Sequence, residues 1–568
     1  MVNPPLAAPH PRAAALSTRA TRLIIAAAIA LATVALLVAT NPPVGITWDE
    51  PAYIVASDSY MQWFGIVRDA RGMALQSSLL DALWSPNHEH PPLAKIWMGL
   101  FVPLGGALGM DDLGAHRLGN MVLVGAMLAA LFLMVASAAG SRAGLLAVAS
   151  LLAMPRFFFH AHLAALDIPA AACVVLLTAL FWFARERRSL WWSLLFAIGW
   201  GVGLGFKVNV AFVMPALAIW MLLCWRRWHL FWRLAIASLL GPPLFVALWP
   251  WLYNSTADRL YDYIAFLTWN HWQNGQFYLG HFVRPPPWHF PFITAYAVTP
   301  LGILLAALVG LIAGLRAPAA PKLASPAAPN TVRAAAALFA IGALVPLLAL
   351  TTGKSMVYDQ ERMFMPAFPF IAALAGLGLD AAVRWVAARR DGAGQSSAGL
   401  RRAIAAAIPL GVLAPPLVAA ALLWPHLLSF YSAGVGGLPG AVGLGFERTY
   451  WTDGYAAAIP YLNANAKRGA IVWSETWSHD DLIAYQRMGQ LRADLRIAMP
   501  RGVHSIFADD GFDGVEAERH EADVLLFAMR DTWLVNDADA RSIIAGRAPD
   551  FAIDRMGVRL LAVYNVNR

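Results

Sequence analysis

The sequence predicts a polytopic α-helical membrane protein that carries a small soluble α/β domain at its C-terminal end. Hydrophobic residues make up 59% of the 568 residues, charged residues only 13%, and the mean hydropathy is +0.56. Soluble domains average about 25% charged residues, so most of this chain is expected to lie in lipid. The charge density then rises near the end, because residues 445–568 contain 14 basic and 18 acidic residues.

Eleven segments are predicted to span the membrane, because a spanning helix needs about 20 mostly apolar residues. They are residues 22–40, 117–138, 143–159, 167–184, 190–206, 208–224, 232–251, 292–315, 334–351, 363–383 and 403–424. The first segment follows a basic N-terminal stretch, which is also typical of a signal peptide. Its apolar run is long and no clear small-residue cleavage site follows, which favours an uncleaved span.

The orientation depends on one ambiguous segment, Leu93–Met110, which is apolar but begins after two prolines and contains Lys95. If it does not span and the N-terminus is cytoplasmic, the inner loops hold 18 basic and 3 acidic residues, and the outer side of the membrane half holds 10 and 13. If it spans, this bias inverts. The positive-inside rule therefore predicts a helix lying at the outer interface.

The resulting organisation has three parts. Residues 1–21 form a cytoplasmic tail, residues 22–428 a transmembrane module with a first outer loop at 41–116, and residues 429–568 an extracytoplasmic domain. Short apolar runs at 470–473, 524–527 and 560–563 predict strands in that domain. The net charge of +8 reflects the basic inner loops, which excludes nucleic acid as a partner.

The acidic residues near lipid are the first functional candidates, because ionisable groups are costly there. Asp49 and Glu50 follow the first predicted span, and tandem carboxylates suit general-base chemistry or a divalent cation. Asp167 begins a later span. All three also fit a structural alternative, because an acid shortly before a proline at a helix start is typical of an N-cap or of the first turn.

Basic residues predicted on the outer side form a second set, and several of them facing two acids suggest an anionic substrate such as a lipid phosphate. Lys207 could instead snorkel, and Arg284 could anchor to anionic headgroups. His160 and His162, like His88 and His90, could bind a metal but are more typical of solvated interfacial histidines. The two cysteines lie in apolar runs, which excludes a cysteine-built zinc site. The basic candidates are His90, Lys95, Lys207, Arg284 and Arg362.

An ordered set of motifs resembles the GT-C superfold of polytopic glycosyltransferases. The branch it resembles contains dolichyl-phosphate-mannose–protein mannosyltransferases and aminoarabinose–lipid A transferase-like enzymes, and the resemblance covers about residues 20–450. No motif is decisive alone, but their order is specific. The motifs are Asp49-Glu50 with Tyr53, HPPLAK (90–95), AHRLGN (115–120), HAHLAALDIP (160–169), GFK (205–207), WPWLYN (249–254), YLGHFVRPPPWHFP (278–291), YDQERMFMPAFPF (358–370) and GFERTYW (445–451).

The resemblance implies an inverting transfer of a sugar from a polyprenyl-phosphate-linked donor to a lipid, glycan or protein on the non-cytoplasmic face. It implies catalytic roles for Asp49, Glu50 and Asp167, with Asp49 as base and Asp49 and Asp167 as ligands if a divalent metal ion is used. It implies contacts with the lipid phosphate or the substrate for His90, Lys95, Lys207, Arg284, Tyr358 and Arg362.

The chain lacks the β-trefoil insertion of eukaryotic protein mannosyltransferases, which puts protein O-mannosylation in doubt. An alanine- and arginine-rich composition suggests a bacterial inner membrane protein. Two alternatives remain open at this point. One is a transporter or flippase for a lipid-linked sugar, which would place its charges near the bilayer midplane in paired repeats. The other is a non-catalytic relative that binds such a lipid.

Overall fold

A computed structural model describes residues 11–270, 275–317, 331–352, 357–388, 396–475 and 478–566. Its N-terminal part is helical, and α1 to α18 follow one another along the chain. They are Pro11–Thr40, Glu50–Asp69, Ser77–Trp84, Leu93–Ala107, Asp112–Ala139, Ser141–Leu152, Pro155–His160, Asp167–Ala184, Leu190–Phe206, Val213–Cys224, Trp228–Ala247, Thr256–Ala265, Phe290–Val298, Leu301–Leu315, Thr331–Ala349, Ala367–Ala388, Ser396–Leu423 and Gly437–Gly443.

The helices confirm a multi-pass membrane protein. Seven helices in the described ranges are long and apolar enough to cross a membrane, or eight if the bent pair α13 and α14 counts as one span. Four shorter apolar helices in the described ranges have 10–17 residues; two of them coincide with predicted spans, and a third, α6, covers part of one. The fourth is α4, which falls on the segment predicted to lie at the outer interface.

Two predicted spans are interrupted at prolines. The segment 292–315 is not one straight helix, because α13 and α14 meet at an angle of 111° across Thr299 and Pro300. The segment 143–159 is also divided, since α6 ends at Leu152 and α7 begins at Pro155. Proline has no N–H to donate to the preceding turn and its ring clashes with that turn. Hydropathy alone does not register either break.

The C-terminal part is an α/β domain, as predicted. Its six-stranded sheet has the order β5-β4-β3-β6-β8-β7, in which β3 to β6 are parallel and β7 and β8 are antiparallel. The three predicted apolar runs are β3, β6 and β8. The short hairpin β1–β2 (Gln276–Tyr278, His281–Val283) lies upstream, and the sheet strands are Ile471–Ser474, Arg496–Met499, Val515–Glu516, Val524–Ala528, Phe551–Arg555 and Val558–Asn565.

Four helices complete this domain: α19 to α22 are Tyr455–Asn465, His479–Arg487, Asp531–Leu534 and Ala538–Gly546. The core of the sheet domain contains residues from Tyr455 onward, and Ile46, Ile54 and Leu113 of the membrane part pack into the same core. The segment before Tyr455, from Leu427 to Trp451, packs into the same core as the membrane helices. The predicted boundary at residue 429 falls within this segment. The carboxyl end of β6 faces the membrane part, where it meets the loop before α16.

Candidate active site

Arg362 is the centre of a buried charged cluster that joins four segments of the chain. Its Nη2 donates to Asp49 Oδ2, its Nε donates to Asp167 Oδ2 at 3.0 Å, and its Nη1 donates to Asp359 Oδ2 at 2.7 Å. Lys207 Nζ donates to the other oxygen of Asp167 at 2.5 Å. Four of the residues predicted from sequence therefore come together: Asp49, Asp167, Lys207 and Arg362.

Each of these side chains stands at the end of a helix. Asp49 directly precedes α2, Asp167 is the first residue of α8, and Lys207 directly follows α9. Arg362 lies in the 3₁₀ turn that leads into α16. Because helix ends leave the chain free to turn, charges from distant segments can meet here without interrupting a span. The side chains of Asp49 and Asp167 bind cations, and the Asp49 side chain makes no capping hydrogen bond.

The loop that carries Arg362 has a strained backbone. Asp359 and Gln360 both adopt positive φ angles, 53° and 57°. This left-handed region is uncommon for residues other than glycine, and such strain is concentrated at functional sites. Asp359 is fully buried and binds a second cation, since Arg530 Nη2 donates to its Oδ1 at 2.6 Å. The strained turn thus holds one carboxylate between two guanidinium groups.

Asp49 differs from the other two carboxylates of the cluster. A fifth of its side chain is exposed, whereas Asp167 and Asp359 are 1% and 0% exposed. Tyr53 Oη donates a hydrogen bond to Asp49 Oδ2 at 3.3 Å. Burial raises the pKa of Asp49, the Arg362 charge opposes this, and the charges of Asp359 and Asp167 raise it further. Asp49 is therefore the carboxylate of the cluster that solvent or a ligand can reach. Its pKa is also higher than that of an ordinary aspartate.

Glu50, also predicted as catalytic, faces away from this cluster. Its two oxygens accept hydrogen bonds from Arg117 Nε at 2.8 Å and Nη2 at 2.7 Å, from the N–H and hydroxyl of Thr47, and from the N–H of Ala164. Glu50 is fully buried. These five bonds occupy the carboxylate and tie the first loop to α5 and to the loop before α8.

Lys95 lies outside the charged cluster. Its ammonium donates to Asn87 O at 2.7 Å, to Asn87 Oδ1 at 2.9 Å and to His90 O at 2.9 Å, so its three hydrogens bind the turn before α4. The His90 ring lies 6.2 Å from the ring of Tyr53, which binds Asp49. Lys95 therefore shapes the loop that sets His90 beside the cluster.

Two further predicted residues lie at different distances from the cluster. The ring centroid of Tyr358 is 5.8 Å from the Arg362 guanidinium carbon. Arg284 follows β2 and makes no ion pair with the described part of the chain. The structure therefore brings Tyr358 to the cluster and leaves Arg284 outside it.

A second buried network lies next to the first and was not predicted. Arg156 Nη1 donates to Glu361 Oε2 at 2.7 Å, and Tyr450 Oη donates to Glu361 Oε1 at 3.0 Å. His160 Nε2 lies 2.7 Å from Tyr450 Oη. Glu361 adjoins Arg362 in the chain, so this network fixes the other side of the strained turn. The sequence signal for it was the charged run YDQER itself, in which every ionisable residue is engaged.

The residues present do not favour a metal site. Nowhere in the described ranges do three or more His, Cys, Asp or Glu side chains come together as metal ligands. Asp49 and Asp167 share the guanidinium of Arg362, which a cation between them would have to displace. His160 binds Tyr450 and His162 binds Thr40, and both imidazoles are buried rather than solvated, contrary to the sequence interpretation.

Comparison with known proteins confirms the resemblance found in the sequence. The family model for dolichyl-phosphate-mannose–protein mannosyltransferase matches residues 89–252, a segment that contains His90, Lys95, Asp167 and Lys207. No curated protein matches the chain. The family match thus covers four of the predicted site residues, and Asp49 and Arg362 lie outside it.

Two solved structures illustrate the likeness in fold. ArnT from Cupriavidus metallidurans bound to undecaprenyl phosphate is 14% identical, with 96% of this chain and 98% of that chain covered and a TM-score of 0.49. The oligosaccharyltransferase of Archaeoglobus fulgidus is 10% identical, with 89% and 69% covered and a TM-score of 0.44. No role of an individual residue follows from these similarities.

Proposed function

We propose that the protein is a membrane glycosyltransferase that moves a sugar from a polyprenyl-phosphate-linked donor to an acceptor on the non-cytoplasmic face, with Asp49 as the general base. The observation that carries the proposal is the pairing of Asp49 with Arg362, which also holds Asp167. This arrangement sets one accessible carboxylate beside cations at the ends of membrane helices. The matched family is described by a lipid-phosphate-linked mannose, which is a donor of this class.

The proposed reaction is a direct displacement at the anomeric carbon. The acceptor's oxygen or nitrogen forms a bond to that carbon while the bond from the carbon to the phosphate oxygen breaks. Asp49 takes the proton of the acceptor's hydroxyl or amine, and the bonding electrons leave with the polyprenyl phosphate. Attack from the face opposite the leaving group inverts the anomeric configuration. The leaving phosphate is a weak base, so a strong general acid is unnecessary.

The cations of the cluster have two roles in this proposal. Arg362 opposes the effect of burial on Asp49, because a guanidinium beside a carboxylate favours the charged form. Lys207 and Arg362 also supply positive charge for the phosphate that develops negative charge as it leaves. Asp167 touches both cations, so it is a positioning residue that holds them at the site.

Other predicted residues take different roles. Glu50 positions Asp49 by fixing the first loop, and Lys95 fixes the turn that carries His90. His90, Tyr358 and Arg284 remain proposed contacts for the carrier phosphate or the sugar. No divalent metal is assigned, because the acids that would bind it are paired with cations.

The proposed orientation follows from charge. The inner loops carry 18 of the 42 basic residues and only 3 of the 34 acidic residues, which favours a cytoplasmic N-terminus. The helix ends that carry Asp49, Asp167 and Lys207 then face outward, as does the sheet domain. In a bacterium this is the outer side of the inner membrane.

The reaction can be tested with purified protein and a polyprenyl phosphate carrying a radiolabelled sugar. We expect free polyprenyl phosphate to appear together with a labelled acceptor from membrane extract, and we expect Asp167→Asn to slow this transfer. Asp380→Asn is a matched control, because Asp380 is equally buried and pairs with Arg142 and Arg384 far from the cluster. If wild-type protein instead moves the intact lipid across vesicle membranes without cleaving it, the transporter interpretation replaces this one.

A further inference from the structure

The sheet domain delivers one arginine to the charged cluster of the membrane part. Arg530 follows β6 at the carboxyl end of the strand, and its Nη2 binds Asp359, the carboxylate that also binds Arg362. Its guanidinium carbon lies 4.3 Å from the ring centroid of Trp533 and 5.3 Å from that of Trp48. Trp48 directly precedes Asp49. Arg530 thus contacts two aromatic rings that also contact each other, beside the proposed base.

Several N–H donors at this place have no acceptor. Arg530 is only 5% exposed, and its Nε and Nη1 are buried without a hydrogen-bond partner among the described residues. The indole Nε1 of Trp48 is also buried without a hydrogen-bond partner among the described residues. A buried donor that stays unpaired costs about 1–3 kcal/mol, and more when it is charged. Unpaired donors from two different segments, gathered at one cation, therefore indicate a place prepared for an acceptor.

The nearby carboxylates do not accept hydrogen bonds from these unpaired donors. Glu447 accepts hydrogen bonds from the N–H and hydroxyl of Thr532. Asp531 pairs with the guanidinium of Arg448 at 2.6 Å. Asp359 already uses both oxygens, one for each arginine. The three acids beside Arg530 are engaged, so an acceptor for these donors has to come from outside the protein.

We propose that Trp48 and Arg530 form a binding site for an anionic group of a substrate, which we call the Trp48–Arg530 site. Arginine presents its N–H groups in a planar fork that matches phosphate or carboxylate oxygens, and the indole N–H adds a neutral donor. The inference rests on the proposed function, in which one substrate carries a phosphate. The anionic group is either the phosphate of the polyprenyl carrier or an anionic group on the acceptor. The sheet domain is then part of the substrate site rather than an appended module.

The experiment measures binding of undecaprenyl phosphate and of uncharged undecaprenol to the purified full-length protein in detergent. We expect wild type to prefer the phosphate. Arg530→Gln should weaken phosphate binding roughly 10- to 100-fold, as expected for lost hydrogen bonds to a charged group, and leave undecaprenol binding unchanged. Trp48→Phe keeps the ring and loses one donor, so it should weaken phosphate binding roughly 2- to 10-fold without endangering the fold.

Arg519→Gln is the matched control. Arg519 lies in the same domain before β6, is stacked 4.4 Å from the Trp473 ring and pairs with Asp537, so its loss removes the same kinds of contact elsewhere. Melting temperatures of all variants establish that each is folded, and Arg530→Lys, which keeps the charge but loses the fork, covers the case in which Arg530→Gln does not fold.

Four outcomes separate the possibilities. Weaker phosphate binding in the Arg530 and Trp48 variants supports the site and identifies the carrier phosphate as its ligand. Unchanged carrier binding with a raised KM for the acceptor supports the site and identifies the acceptor as the source of the anion. If both quantities match wild type, the site is refuted while the proposed function stands; if wild type shows no preference for the phosphate, the proposed function fails and takes the site with it.

Discussion

Replacing Glu50 by glutamine tests whether this carboxylate is structural or catalytic. All five N–H bonds of the Arg117 guanidinium are used inside the protein, two of them by Glu50 and the others by Asn41, Val44 and Gly45. Both side chains are essentially without exposure. Glu50→Gln leaves a buried guanidinium without its counter-ion, and it turns an amide NH₂ toward groups that are themselves donors. Removing one partner of such a buried pair costs about 3–5 kcal/mol.

The assay is thermal unfolding of the detergent-purified protein, followed by tryptophan fluorescence. We expect a clear fall in melting temperature for Glu50→Gln, and transfer activity that survives at low temperature, where the protein is still folded. Asp69→Asn is the control, because Asp69 on the same helix α2 pairs with Arg68 in full contact with solvent, where an ion pair contributes little to stability. Unchanged melting together with complete loss of transfer in folded Glu50→Gln would show that Glu50 belongs to the chemistry and that the positioning role is wrong.

Three further predictions follow from the charges and their surroundings. The kcat/KM for transfer should fall as pH drops through the raised pKa of Asp49, at higher pH than for an ordinary aspartate near 4, because the protonated acid cannot accept a proton; a profile flat down to pH 4 would exclude Asp49 as base. Burial raises the pKa of Glu447 to about 7 in the folded protein, so between pH 4.5 and 7 the folded state holds a proton that the unfolded state has released. The melting temperature of wild type should therefore fall as the pH rises from 4.5 to 7, and that of Glu447→Gln should fall less. In a chain whose two native cysteines are replaced by serine, Arg501→Cys should react with a membrane-impermeant thiol reagent in spheroplasts and Arg226→Cys should not, and the reverse pattern would invert the proposed orientation.

Sequence patterns were sufficient for the candidate residues that stand at helix ends. Asp49, Asp167, Lys207 and Arg362 each interrupt or border an apolar run, which makes an ionisable residue conspicuous. The structure brings these four together, although Asp49 and Arg362 each lie more than a hundred residues from the other three. Two sequence signals linked them: the shared outer position predicted from charge bias, and the ordered motifs that carry the family resemblance.

The same patterns could not separate Asp49 from Glu50. Both are acids in one short motif, and only the position of Arg117 on α5 shows that the Glu50 carboxylate is occupied by a structural ion pair. Lys95 is a similar case, because its three acceptors belong to a turn whose geometry no motif describes. Local sequence identifies a charge, and the packing around it decides whether the charge stays available.

Arg530 and Asp359 were missed for different reasons. Asp359 lies in the motif that supplied Tyr358 and Arg362, but its importance depends on a left-handed turn that sequence does not reveal. Arg530 lies in the sheet domain, and nothing in the sequence predicts that the carboxyl end of β6 meets the membrane helices. The bend at Pro300 was missed in the same way, because hydropathy is averaged over a window of residues and carries no information about the direction of a helix.

The central claim is that Asp49 accepts the acceptor's proton, and single-turnover transfer by Asp49→Asn tests it most directly. The amide keeps the size of the side chain and can still face Arg362, so the fold and donor binding should be retained. We predict that transfer of the labelled sugar slows by about 10²–10⁴-fold while undecaprenyl phosphate binds within about threefold of wild type. Transfer by the folded Asp49→Asn protein at a rate within tenfold of wild type would contradict the account.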